Sequence, residues 1–292
     1  MDSGELARLV TREVLARLKG LPAGGQGPTC TLADICSACG RCATAREDTV
    51  RRFKTDGAAR ISASSGIGKV ANDLAGMIDH TLLKTDAKKA DFDRACAEAK
   101  KYHFRSVCVF SGDVEYVAAK LRGSDVIPIA VVGFPHGQMT PVAKAFEAHD
   151  AIVRRGAQEI DMVINVSALK SKHYILVLDD IRQVVRACEE KPVKVIIETA
   201  LLNTYEKVCA CCLAKTAGAR FIKTSTGKEE GGATVEDVRL MREVVGDEVL
   251  IKASGGIKSR EFAYALIAAG ANRIGTSQSV AIVTGKAARG GY

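Results

Sequence analysis

The chain has 292 residues, 47% of them hydrophobic and 5% aromatic, with no Trp. That length holds one large domain plus an appendage, and a mixture dominated by Ala, Val, Ile and Gly suits closely packed parallel α/β architecture. The net charge of +8 comes from 42 Lys and Arg scattered among 34 Asp and Glu; with no basic run and no aromatic stripe for base stacking, it argues against a nucleic-acid partner and for a small anionic one.

Residues 1–22 read as an amphipathic helix and its stop. Leu6, Val10, Val14 and Leu18 recur every four residues with Leu9 beside them, and Gly20 and Pro22 end the pattern. A lone helix this short is marginal in water, so the stripe over residues 2–18 needs a partner. The pattern resembles the terminal peptides that direct enzymes into bacterial microcompartments, which makes a shell protein one expected partner; packing on its own domain is the alternative. Residues 23–69 form a second unit, a Gly-rich linker followed by a Cys-rich segment. Of the ten cysteines, Cys30, Cys36, Cys39 and Cys42 cluster here, the last three as C-x2-C-x2-C. That spacing can bring thiolates to one centre, as an iron–sulfur cluster or zinc requires, although no His completes a zinc pattern; free thiols are the alternative. The other six (Cys96, Cys108, Cys188, Cys209, Cys211 and Cys212) fall in periodic apolar segments and read as small buried hydrophobes. No apolar run is long enough to cross a membrane and no secretory signal is evident, so a reducing cytoplasmic setting is expected.

From residue 70 to residue 292 short apolar runs alternate with longer amphipathic stretches. Strands are expected at Met77–Asp79, Ser106–Phe110, Ile127–Gly133, Glu159–Asn165, Val193–Glu198, Phe221–Thr224, Leu250–Ala253 and Arg273–Gly275. Helices are expected near 87–102, 112–121, 141–155, 172–190, 204–217, 234–245, 259–269 and 277–284. Eight such units predict a (β/α)8 TIM barrel preceded by the helical, Cys-rich extension. An open doubly wound sheet is the competing topology, but no G-x-G-x-x-G follows the first strand.

In such a barrel the chemistry sits at the carboxyl ends of the strands. Those ends carry Asp79, Cys108, Asp161, Asn165, Glu198, Lys223 and Lys252. A lysine at the end of an apolar strand is costly when charged, so the pKa of Lys223 should fall, and a second ammonium at Lys252 should disfavour protonation of both. A neutral amine attacks an aldehyde to give a carbinolamine and then an imine, while Asp161, directly or through a water, moves protons. Thr226-Gly227-Lys228, Ser254-Gly255-Gly256 and Gly275-Thr276-Ser277 close three consecutive late strands, a pattern suited to a phosphate.

Ile78-Asp79-His80-Thr81-Leu82-Leu83, Val132-Gly133-Phe134-Pro135, Glu159-Ile160-Asp161, Phe221-Ile222-Lys223-Thr224-Ser225-Thr226-Gly227 and Lys252-Ala253-Ser254-Gly255-Gly256-Ile257 together resemble the deoxyribose-phosphate aldolases. The resemblance covers roughly residues 70–292. It implies a class I aldolase that needs no cofactor and reversibly cleaves 2-deoxy-D-ribose 5-phosphate to acetaldehyde and D-glyceraldehyde 3-phosphate. It further implies Lys223 as the Schiff-base lysine, Lys252 as its perturbing neighbour, Asp161 as proton carrier and Cys108 near the hemiacetal. Lys228, Gly255, Gly256 and Ser277 then fall where phosphate is held, with Thr226, Gly227 and Gly275 in the same turns. The closing Tyr292 matches a tyrosine that assists proton transfer in some members, a disordered tail being the alternative, and a homo-oligomer is expected. Gln278 departs from the family, standing where a second serine often follows Ser277, and Glu229 and Glu230 bring acid close to the expected anion site.

Overall fold

The computed structural model describes residues 74–285. The expected docking helix over residues 2–18, the Cys30–Cys42 cluster and Tyr292 lie outside the described residues. Eight parallel strands form a closed ring in sequence order, with β8 paired back to β1. They are β1 (Ile78–Thr81), β2 (Ser106–Phe110), β3 (Ile127–Val132), β4 (Glu159–Val163), β5 (Val193–Ile196), β6 (Phe221–Lys223), β7 (Leu250–Ser254) and β8 (Arg273–Thr276). The helices that return the chain are α1 (Lys89–Tyr102), α2 (Val114–Leu121), α3 (Pro141–His149), α4 (Val166–Lys170), α5 (Tyr174–Ala187), α6 (Thr204–Thr216), α7 (Val235–Val245), α8 (Arg260–Ala268) and α9 (Ser279–Thr284).

The expected (β/α)8 topology is therefore present, with two local differences. The stretch expected as one helix near 141–155 is α3 followed by a wider π turn over Asp150–Arg154. The stretch near 172–190 begins instead with the short α4, because the Asn165 side chain caps it by accepting from the Ala168 amide at 2.9 Å. Asn165 is thus a helix cap rather than a member of the strand-end constellation. Similar caps start α6, where Asn203 and Glu206 satisfy each other's amides at 2.9 Å, and α7, where the Thr234 hydroxyl accepts from the Asp237 amide at 3.0 Å.

Strand alternation divides the core into two environments. Outward-facing Val107, Val109, Ala130, Val132, Ile160, Met162, Val195, Ile222, Ile251, Ala253 and Ile274 are sealed between sheet and helices. Inward-facing positions on β4 to β8 and β1 carry charge: Asp79, Glu159, Asp161, Lys194, Lys223, Lys252 and Arg273 are all buried. The six cysteines assigned to the apolar segments are buried, and none of them is in a disulfide.

Candidate active site

Lys223 is the last residue of β6, and its neighbours across the ladders are Ile196 of β5 and Lys252 of β7. The register puts Asp161 of β4 beside Lys194 of β5. The side chains converge on one carboxylate. Asp161 Oδ2 accepts from Lys223 Nζ at 2.9 Å and from Lys252 Nζ at 2.7 Å, while Oδ1 accepts from Lys194 Nζ at 2.8 Å. Lys252 Nζ also lies 2.5 Å from Asp79 Oδ2, an ion pair without hydrogen-bond alignment. Asp79 Oδ1 accepts from the Ser106 hydroxyl at 2.6 Å and from Arg273 at 2.8 Å. Glu159 closes the lower part of the network, 2.6 Å from Lys194 and 3.2 Å from Arg273.

The charges in this bore do not balance if every group is ionised. Three carboxylates (Asp79, Glu159 and Asp161) meet four buried cations (Lys194, Lys223, Lys252 and Arg273), and the part-exposed Arg105 lies 3.8 Å from Glu159 as a fifth. Cations are in excess, and the electrostatics single out Lys223 as the one whose charged form is disfavoured. Burial, and then Lys252, lower its pKa more than Asp161 raises it. Lys252 behaves oppositely to the expectation from sequence. Burial disfavours its ammonium too, but Asp161 and Asp79 outweigh that and raise its pKa. The pair of lysines is therefore asymmetric, the ammonium disfavoured at Lys223 and favoured at Lys252, because only Lys252 has a second carboxylate. Burial would raise Asp161, yet Lys194, Lys223 and Lys252 together hold it well below the usual carboxylate range.

Lys194 and Arg273 escaped sequence reasoning. Both lie on the inner face, but below the carboxyl ends of their strands; the alternation Val193-Lys194-Val195 carried the signal. Cys108 stands within the electrostatic reach of Asp161, Lys252 and Lys223, and burial pushes its thiol up to about 11, so at neutral pH it is an uncharged wall rather than a nucleophile.

The three late turns are knitted together. The Thr224 hydroxyl donates to Ser254 O at 2.9 Å, the Ser254 hydroxyl donates to Ser225 O at 2.6 Å, and the Ala233 amide donates to Gly255 O at 3.1 Å. Gly232 and Gly255 pass so closely that a Cβ on Gly232 would sit 2.5 Å from Gly255 O. Among the described residues, the amides of Gly227, Gly255 and Gly256 donate to no other group. Lys228 reaches across the mouth, its Nζ donating to Leu83 O beyond β1 at 2.7 Å. Ser277 follows β8 and is half-buried. Gly275 has a different reason to be glycine: a Cβ there would lie 2.9 Å from Lys252 Cε, so its bareness makes room for that lysine. The Thr226 amide and hydroxyl are already occupied, both donating to buried Glu198 Oε2, at 3.0 and 2.6 Å. No cluster of metal-ligating side chains occurs among the described residues.

A buried lysine of lowered pKa beside an ammonium and a carboxylate, with unused amides in the late turns, can form an imine with an aldehyde while those amides hold an anion. The chain matches a family model described as DeoC/LacD family aldolase over residues 74–287. It is 54% identical over 215 residues to the deoxyribose-phosphate aldolase of Streptococcus uberis, covering 74% of this chain and 97% of that protein. It is 54% identical over 220 residues to the deoxyribose-phosphate aldolase of Clostridium perfringens, covering 75% and 98%. The tetrameric deoxyribose phosphate aldolase of Aeropyrum pernix superposes with a TM-score of 0.68 at 28% identity, over 80% of this chain and 96% of that one.

Proposed function

Because the chain belongs to the DeoC/LacD aldolase family, we propose that it acts as a class I aldolase, reversibly cleaving 2-deoxy-D-ribose 5-phosphate to acetaldehyde and D-glyceraldehyde 3-phosphate with Lys223 as the Schiff-base lysine. The carrying observation is the buried Lys223 Nζ, 2.9 Å from Asp161 and depressed in pKa by burial and by Lys252. The neutral amine adds to the aldehyde carbon of the open-chain sugar, and loss of water gives a protonated imine. A base removes the proton of the hydroxyl two carbons from the imine carbon, the bond between that carbinol carbon and the intervening methylene breaks, and its electron pair forms the enamine double bond while the C=N pair returns to the iminium nitrogen. D-glyceraldehyde 3-phosphate departs; protonation of the enamine carbon and addition of water then release acetaldehyde and restore the amine.

Asp161, held ionised by three lysines, is a weak base in itself. Its role in this reading is to orient Lys223 and to polarise a water that carries the proton, with Lys252 as the standing ammonium. The amides of Gly227, Gly255 and Gly256, with Lys228 and Ser277, hold the phosphate, and neutral Cys108 lines the side facing the sugar. Tyr292 is read as assisting the proton transfer at carbon. The barrel chemistry needs no cofactor. Sodium borohydride added with acetaldehyde tests the reading: reduction should fix the adduct irreversibly on Lys223, located by peptide mass spectrometry, and Lys223→Leu should abolish both adduct and turnover. A label on Lys194 or Lys252 would overturn the assignment.

Residues 1–22, 23–69 and 70–292 are read as docking helix, linker with Cys-rich segment, and catalytic barrel. In this reading residues 2–18 engage a partner such as a microcompartment shell, Cys30, Cys36, Cys39 and Cys42 hold an iron–sulfur cluster or zinc, and the enzyme works in the cytoplasm or inside such a compartment. No helix among the described residues is long and apolar enough to cross a membrane. The exposed α3 side chains Val142 and Phe146, 70% and 67% accessible, support self-association. Light scattering and metal analysis of the full chain and of a chain lacking residues 1–22 test these roles together. The truncated enzyme should keep its turnover and metal content and change only in localisation or assembly, and a large loss of rate would overturn the division.

A further inference from the structure

A buried carboxylate beneath a phosphate rim is unexpected, because like charge opposes anion binding. Glu198 is 3% exposed and sits in the left-handed region, at φ +55, a conformation that costs a non-glycine residue energy and persists only where its surroundings hold it. The ladder shows how it is held. In a regular parallel pair, amides two residues apart on one strand reach carbonyls two residues apart on the next. Here the Ile197 amide donates to Lys223 O and the Thr199 amide to Thr224 O, each at 3.0 Å. The continuation of β5 thus advances two residues while β6 advances one, leaving Glu198 as the extra residue of a bulge. Bulges re-aim side chains beside active sites.

This one aims a carboxylate at the turn after the Schiff-base strand. Glu198 Oε2 takes both donors of Thr226, and the Thr226 hydroxyl in turn accepts the Lys228 amide at 3.1 Å. Those donors are therefore occupied and cannot bind phosphate. What the arrangement fixes is the path of the backbone from Thr226 through Gly227 to Lys228, where the Gly227 amide and the Lys228 side chain begin the rim. We propose that Glu198 is a positioning residue for phosphate recognition: it clamps Thr226 so that the Gly227–Lys228 segment presents its donors to the phosphate, without itself touching substrate. The inference rests on the aldolase reading given above.

The test separates phosphate positioning from general support. Glu198→Ala should raise KM for 2-deoxyribose 5-phosphate by about tenfold or more, the scale of a lost hydrogen bond to a charged group. It should leave kcat/KM for unphosphorylated 2-deoxyribose, and the rate of borohydride trapping with acetaldehyde, within about twofold of wild type. Glu198→Gln keeps an acceptor oxygen for Thr226 and should recover most of the loss. Thr226→Val breaks the hydroxyl link from the other side and should reproduce the selective defect should Glu198→Ala fail to fold. An equal loss on both substrates, or no change in KM for the phosphorylated one, overturns the proposal. Absence of cleavage of 2-deoxyribose 5-phosphate by the wild-type enzyme would instead overturn the function itself.

Discussion

The two walls of the barrel bore differ in kind. On β2 and β3 the inward side chains, Ser106 apart, are apolar: Cys108, Ile129 and Val131 pack with Leu83, flanked by Phe110, Ile127 and Phe134. On β4 through β8 and β1 they are ionic, joined by contacts between 2.5 and 3.2 Å. Neither wall alone would produce a reactive amine. An all-ionic bore would solvate the Lys223 ammonium with carboxylates and keep it protonated, while an all-apolar one would neutralise it but leave nothing to orient it or receive its proton. Lys223 stands where the two effects compete, and burial prevails because its single carboxylate partner is shared with two other lysines.

Replacements on each wall should break this comparison in different ways. Lys252→Leu should act most strongly. Lys223 loses a cation that helps depress its pKa and becomes the main partner of Asp161 Oδ2, so its pKa rises. A lysine is reactive above its pKa; the ascending limb of the borohydride-trapping rate should therefore move to higher pH, with about tenfold less trapping at neutral pH for each unit of rise. A limb that stays in place would show that burial alone discharges Lys223. Ile129→Val, on the apolar wall, should cost only about 0.5–1.5 kcal/mol of stability in denaturant unfolding and leave the limb unmoved. A shifted limb in that variant would mean that the apolar wall tunes the amine through its detailed packing rather than by excluding water.

The same division explains what could be read in the sequence. The topology was legible because each outward face is apolar at period two, as in Ile160 and Met162, and each return helix is amphipathic. Lys223, Lys252 and Asp161 were legible because a charge near the carboxyl end of an apolar strand has no bland place to go. Lys194 and Arg273 were passed over because their meaning depends on a closed ring: in an open sheet either could reach solvent. Strand-end position marked Glu198 and Asn165 alike, and only the hydrogen bonds distinguish them, one as a clamp on Thr226 and the other as a helix cap. The expectation that each lysine would disfavour protonation of the other failed at Lys252 because Asp79 arrives from β1, far away in sequence.

That distance has a consequence for how the protein is made. Asp79 and Arg273, 2.8 Å apart in the bore, are separated by 194 residues of chain. On the ribosome the carboxylate emerges early and both of its cationic partners, Lys252 and then Arg273, emerge late, and an intermediate that collapsed before them would have to bury an unpaired charge. Partial barrels are thereby penalised, and the nascent chain stays open, in need of protection from aggregation, until nearly all of it has been synthesised.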